Sequence, residues 1–140
     1  MSWTEPRTWV TGEIVTAAQL NEQVRDNMDY VHDALPSNTQ TVTSNVLGTV
    51  YQNTSSAMRF VTVTVSQVVA NAGQSAKNVA YVKSTSSPDT EVAELYSEYS
   101  SCIVSHRLSM TFCVPAGYYY KVTDEDSGGG ASTLMKWTEW

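Results

Sequence analysis

Three stretches of this 140-residue chain hold residue types that could do chemistry. Asp124, Glu125 and Asp126 stand just before Gly128, Gly129 and Gly130, a run of carboxylates beside a flexible turn. Hard cations such as calcium take oxygen ligands of that kind, but the run lacks the spacing of an EF-hand loop. A solvated hairpin tip accounts for it. The same glycines are not followed by Gly-Lys-Ser/Thr, so they do not read as a phosphate loop. Ser105 and His106 offer a nucleophile and a base side by side. Adjacent side chains on a strand point to opposite faces, however, and cannot share a proton. Cys102 and Cys113 lack the spacing of a metal or redox pair. Cys113 sits in the apolar run Met-Thr-Phe-Cys-Val, where a small buried thiol is expected. His32 and His106 read as ordinary surface or interface residues. Nucleophile elbows, paired zinc-binding histidines and dinucleotide fingerprints do not occur. The expectation is a protein that is not an enzyme, with no catalytic residue, cofactor or metal.

The aromatic residues pose a different question. Tyr118, Tyr119 and Tyr120 are consecutive, and Trp137 and Trp140 follow after the glycine-rich stretch. A hairpin through residues 124–130 would set these aromatics on neighbouring strands. Tyr118 and Tyr120 would then pack inward with Phe112, Met110 or Leu134. Tyr119 would face the other way, toward a subunit neighbour or as a surface recognition residue. Core plus subunit interface is one account of the cluster, since aromatics are enriched at interfaces. A platform for sugar rings is another.

Composition limits what these elements build. At this length one domain plus an appendage is expected. Hydrophobic residues make up 41% and charged residues only 16%, with Ser, Thr, Asn and Gln filling the gap. That balance suits β surfaces and fibres. The net charge of −6 lacks the basic footprint that nucleic acid requires, and it disfavours anionic membrane surfaces. No stretch approaches the apolar length of a membrane span, and the first residues do not read as a signal peptide. Neither membrane insertion nor nucleic-acid binding is expected. Synthesis in a cytoplasm favours free thiols over a disulfide.

The N-terminal third has one sustained helical pattern. Thr16 and Gln19 are spaced as a capping box. Ala17, Leu20, Val24, Asn27, Val31 and Ala34 then recur at heptad positions, with Met28 and Leu35 widening the stripe. A helix over residues 16–35 is expected, stopped by Pro36. A lone helix of this length is marginal in water, so its stripe needs a partner. Packing on the chain's own β domain satisfies that need, and so does packing between chains. The polar segment 36–45 reads as a linker and favours the second, with Ala17, Leu20, Val24, Asn27 and Val31 as an oligomer seam. Before the helix, residues 1–15 form an irregular arm. Trp3, Arg7, Trp9 and Val10 either staple that arm to the helix or dock it into a partner pocket, where Trp and Arg are favoured anchors.

From residue 46 the period changes to two. Strands are expected over 46–51, 59–65 with an extension to 69, 77–83, 107–114, 118–122 and 134–140; residues 91–96 fit a strand or a helical turn. Turn signals recur about every ten residues. The pattern is mainly β: an antiparallel β-sandwich, jelly-roll-like, over residues 46–140.

The N-terminal run also carries a resemblance. Trp3, Pro6, Arg7, Thr8, Trp9, Val10, Gly12, Glu13, Val15, Thr16, Ala17, Ala18, Leu20, Asn21, Val24, Arg25, Asp26 and Asn27 form a run that resembles the N-terminus of tailed-bacteriophage virion proteins, among them fibre, tail and accessory structural proteins. Val114 to Thr123, a glycine-rich turn and the Trp-Thr-Glu-Trp stretch are similar to endings of distal β domains in fibre-like proteins. In that family the N-terminal segment docks on the particle. The resemblance implies a virion structural protein made in the bacterial host cytoplasm, forming a homotrimeric fibre- or spike-like appendage held to capsid, neck or tail proteins. Its alternatives are a receptor-binding tail protein that adsorbs to a host surface glycan, and a capsid decoration protein.

Overall fold

The structure, a computed structural model, describes residues 3–35, 39–99 and 101–140. The chain divides into two compact units, one ending at Leu35 and the other beginning at Pro36.

In the first unit the helix starts as its sequence requires. The Thr16 hydroxyl accepts the Gln19 N–H, and the Gln19 side chain accepts the Thr16 N–H at 2.8 Å. The helix then runs through Ala17–Leu20, Asn21–Arg25 and Asp26–Ala34. Its middle segment is a π turn, in which the Asp26 N–H reaches back five residues to the Asn21 carbonyl. The regular heptad expected from the sequence is therefore interrupted over Asn21–Arg25, although Leu20, Val24 and Met28 still line one pocket. Pro36 and the side chain of Ala34 lie outside the described residues.

The second unit is mainly β. Its eight strands are β1 Thr41–Thr43, β2 Tyr51–Gln52, β3 Arg59–Val69, β4 Ser75–Lys83, β5 Thr90–Glu98, β6 Val104–Val114, β7 Tyr119–Asp124 and β8 Ala131–Glu139. They form two four-stranded antiparallel sheets, ordered β1-β8-β3-β6 and β2-β7-β4-β5. Each of the first four strands thus pairs with one of the last four in mirror order. Alternation decides what each strand buries. Val61, Val63 and Val65 of β3 and Met110 and Phe112 of β6 point inward; so do Ala80 and Val82 of β4, Tyr120 and Val122 of β7, and Trp137 of β8. The two sheets share this one core.

Several expectations need correction. Residues 36–45 are not purely a linker, because Thr41–Thr43 pairs with Trp137–Glu139. The segment 46–50 is a turn, closed by Gly48 at φ 79° with its N–H on the Val122 carbonyl at 2.7 Å; only Tyr51–Gln52 is strand. Residues 91–96 belong to strand β5. Residues 124–130 do not make a hairpin, since β7 and β8 lie in different sheets. This stretch crosses between sheets and is pinned to the start of β4. Asp126 Oδ1 accepts the Lys77 N–H at 2.8 Å, and the backbones of Ser75 and Ser127 bond in both directions. A Cβ on Gly130 would meet the Ser75 carbonyl oxygen at 2.1 Å, so only glycine fits that close approach. Cys113 is not buried. It alternates outward from Phe112, and it and Cys102 are exposed free thiols.

Candidate functional site

Tyr120 and Trp137 do meet, as the sequence suggests, but from opposite sheets, with ring centroids 6.4 Å apart. Tyr51 joins them, 5.9 Å from Tyr120 and 5.8 Å from Trp137. Tyr118 precedes β7 and remains exposed rather than packing inward. Tyr119 is half-buried on the face opposite Tyr120, in register with Gln52 and Lys83.

Beneath these rings lies a carboxylate that no motif of the sequence singles out. Glu139 is 8% exposed. Isolated burial of a carboxylate is costly, and here four donors offset it. Tyr120 donates its hydroxyl to Glu139 Oε1 at 2.6 Å, Trp137 its indole N–H at 2.9 Å, and Asn45 its amide N–H at 2.9 Å. Arg59 donates from Nη1 to Oε2 at 2.8 Å, completing an ion pair. Burial and the Glu139 carboxylate together push the Tyr120 hydroxyl well above the ordinary tyrosine value. One local signal points to this group: Trp137 and Glu139 are two apart on a strand and must share a face.

Next to the ion pair is a pocket of about 330 Å³. Arg59, Glu139 and Trp140 form one side, with Thr41, Thr43 and Met58 among the other walls. The Trp140 ring packs 6.3 Å from Phe60, and the two backbones bond in both directions at 2.8 and 3.1 Å. The Thr43 hydroxyl is buried and has no hydrogen-bond partner among the described residues.

Set beside protein-family models and curated protein sequences, the chain matches none.

The remaining chemical candidates are already committed. Glu125 accepts from the Tyr81 hydroxyl at 2.6 Å and from Thr123 at 3.0 Å, while Asp126 holds Lys77 and Ser132. The Tyr81 bond holds the Glu125 carboxyl below its usual value; burial and neighbouring Asp126 push Asp124 up. Among the described residues no cluster of His, Cys, Asp or Glu is arranged for a metal ion. His106 meets not Ser105 but Ser97, with Oγ 2.9 Å from Nε2. Ser97 donates its hydroxyl to Gln67 Oε1, whose amide nitrogen donates to Asn78 Oδ1 at 2.9 Å. His106 must therefore donate to Ser97. That polarity is opposite to the one that activates a serine.

In the N-terminal unit the arm is stapled to the helix. Thr4 and Asn27 exchange two hydrogen bonds, at 2.9 and 3.0 Å, and the Arg7 N–H reaches Gln23 Oε1 at 2.9 Å. Trp3 lies 6.1 Å from the Tyr30 ring. Arg7 pairs with Glu13 and stands 4.7 Å over the Trp9 ring. Asn27 is buried by its own arm, leaving it 7% exposed. The other seam residues stay open: Leu20, Val24 and Val31 are each about half exposed, and Ala17 is exposed. Trp3, Trp9 and Val10 also remain exposed. Trp3, Pro6, Val24, Met28, Val31 and Leu35 line an apolar groove between arm and helix. Among the described residues no helix is long and apolar enough to cross a membrane.

Proposed function

We propose that this chain is a virion structural protein of a tailed bacteriophage, assembled as a trimeric fibre- or spike-like appendage and attached to the particle through its N-terminal arm and helix. The observation that carries the reading is the open apolar stripe Leu20, Val24, Met28 and Val31, flanked by Trp3 and Pro6. A helix with such a stripe is stable only when something covers it. The resemblance of residues 3–27 to virion-protein N-termini supplies the setting. For the β unit we propose a jelly-roll-like sandwich. The mirror-order pairing of β1 with β8, β2 with β7, β3 with β6 and β4 with β5 supports it.

Sedimentation tests the assembly. Wild-type protein should run as an oligomer at micromolar concentration, and the double variant Leu20→Asp, Val24→Asp as a monomer, because charge cannot be buried in an apolar contact without a partner. A wild-type monomer with helices left single on the particle overturns the proposal. Copies per virion then separate an appendage from a capsid decoration protein, with hundreds expected only for decoration.

A further inference from the structure

We propose that the pocket bounded by Arg59, Glu139 and Trp140 binds one neutral sugar ring. Its volume, about 330 Å³, lies at the small end of ligand pockets and suits one ring rather than a chain of them. Arg59 holds Glu139 through a single N–H, from Nη1 to Oε2 at 2.8 Å, rather than through both prongs of its fork. A guanidinium has five N–H groups, so most of its donor capacity lies outside that bond. Glu139 Oε1 carries three neutral donors, whereas among the described residues Oε2 takes its hydrogen bond from Arg59. Side by side, the pair offers a donor and an acceptor at the spacing of two neighbouring hydroxyls, one accepting from Arg59 while the other donates to Glu139.

Charge and wall chemistry select the same ligand. The carboxylate cancels the guanidinium, so neither an anion nor a cation finds net attraction, and the chain's charge of −6 opposes anions further. Exposed Thr41 contributes a hydroxyl, whereas the Ser55 hydroxyl is spent on Asn53 and Ala57 and the Thr43 oxygen is buried behind the wall. Met58 and Trp140 supply apolar surface for the C–H face of a ring. The polar pair is fixed in advance by Tyr120, Trp137 and Asn45, and Trp140 is held by Phe60. Such preorganisation reduces the entropy lost on binding. The site belongs to the β unit alone and stands whether or not the assembly reading holds.

The test is titration of the full chain with D-glucose, D-galactose, D-mannose and N-acetylglucosamine, followed by the NMR signals of the Trp140 indole N–H and the Arg59 Nε–H. At least one sugar should shift both signals and saturate at millimolar concentration. Trp140→Ala should weaken that binding about tenfold or more, equivalent to about 1.4 kcal/mol. Thr41→Phe, at an exposed position of a short edge strand, fills the pocket and should abolish binding while the thermal midpoint stays unchanged. Three results overturn the proposal: no sugar shifts the two signals; binding survives in folded Thr41→Phe protein; or sodium acetate shifts them while sugars do not. Sedimentation of the same samples reports on assembly separately, so either reading can fail alone.

Discussion

Tyr120 and Tyr119 are chemically identical neighbours with opposite fates. Tyr120 is 1% exposed, packed against Tyr51, Phe112 and Trp137 and bonded to Glu139. Tyr120→Ala should cost about 3–5 kcal/mol, a large share of a small domain's margin. Tyr119→Ala should cost far less, and urea melts of the two variants decide it. The Tyr120 hydroxyl also sets an alkaline limit. Its folded pKa is raised, so the folded chain keeps a proton that the unfolded chain loses above about pH 10. Tyr120 therefore costs nothing below that pH. Above it, stability falls by up to about 1.4 kcal/mol per pH unit, until the folded group ionises as well. Tyr81, raised by its bond to Glu125, adds in the same direction. Urea melts through this range should show a shallower decline in Tyr120→Phe than in wild type; equal slopes would remove Tyr120 as the cause. At this scale the inward Tyr120 was legible from the sequence by alternation, but the same alternation placed Tyr118 inward, and it stays exposed because β7 begins only at Tyr119. Glu139 was not legible, since Asn45, Arg59 and Tyr120 reach it from three other segments and only Trp137 is local.

Among the elements, the arm and helix form the pair whose contacts are easiest to sever. Asn27→Ala removes both bonds to Thr4, at about 1 kcal/mol each. The arm should then become cleavable by trypsin at Arg7 while the helix signal in circular dichroism is kept. Unchanged cleavage would mean that Trp3 against Tyr30 and Arg7 against Gln23 suffice. The capping box and the clean period of β3 and β6 could be read directly, because each is a local pattern with a physical cause. The π turn could not: no residue between Asn21 and Arg25 announces an extra residue per turn. Strands β1 and β2 were equally opaque. They are short edge strands held through backbone bonds to β8 and β7, and their side chains carry little periodicity. The stretch 124–130 reads as a hairpin because it is acidic and rich in glycine. Only its bonds to Ser75 and Lys77 turn it into a crossing between sheets.

At the scale of the whole molecule, the division at Leu35 predicts that the β unit folds without residues 1–35. A chain lacking residues 1–35 should keep the β circular-dichroism spectrum and melt within a few degrees of the full protein; a collapse of the melting transition would show that the units depend on each other. Mirror-order pairing has a further consequence, for how the fold is reached. Among strands that pair, only β4 and β5 are joined by a short loop, and the mirror-order pairings β3 with β6, β2 with β7 and β1 with β8 span progressively more chain, out to Thr41 against Glu139. High contact order slows folding, since loop-closure entropy is spent before distant strands reward it. The β4–β5 hairpin closes the least chain and is expected to form first, with the longer-range pairings added outward from it. β3 takes β8 along one edge, so that edge stays open until β8 has left the ribosome. Until then, the valine-rich β3 stands available to any other strand in reach, including that of a sister chain on the same polysome.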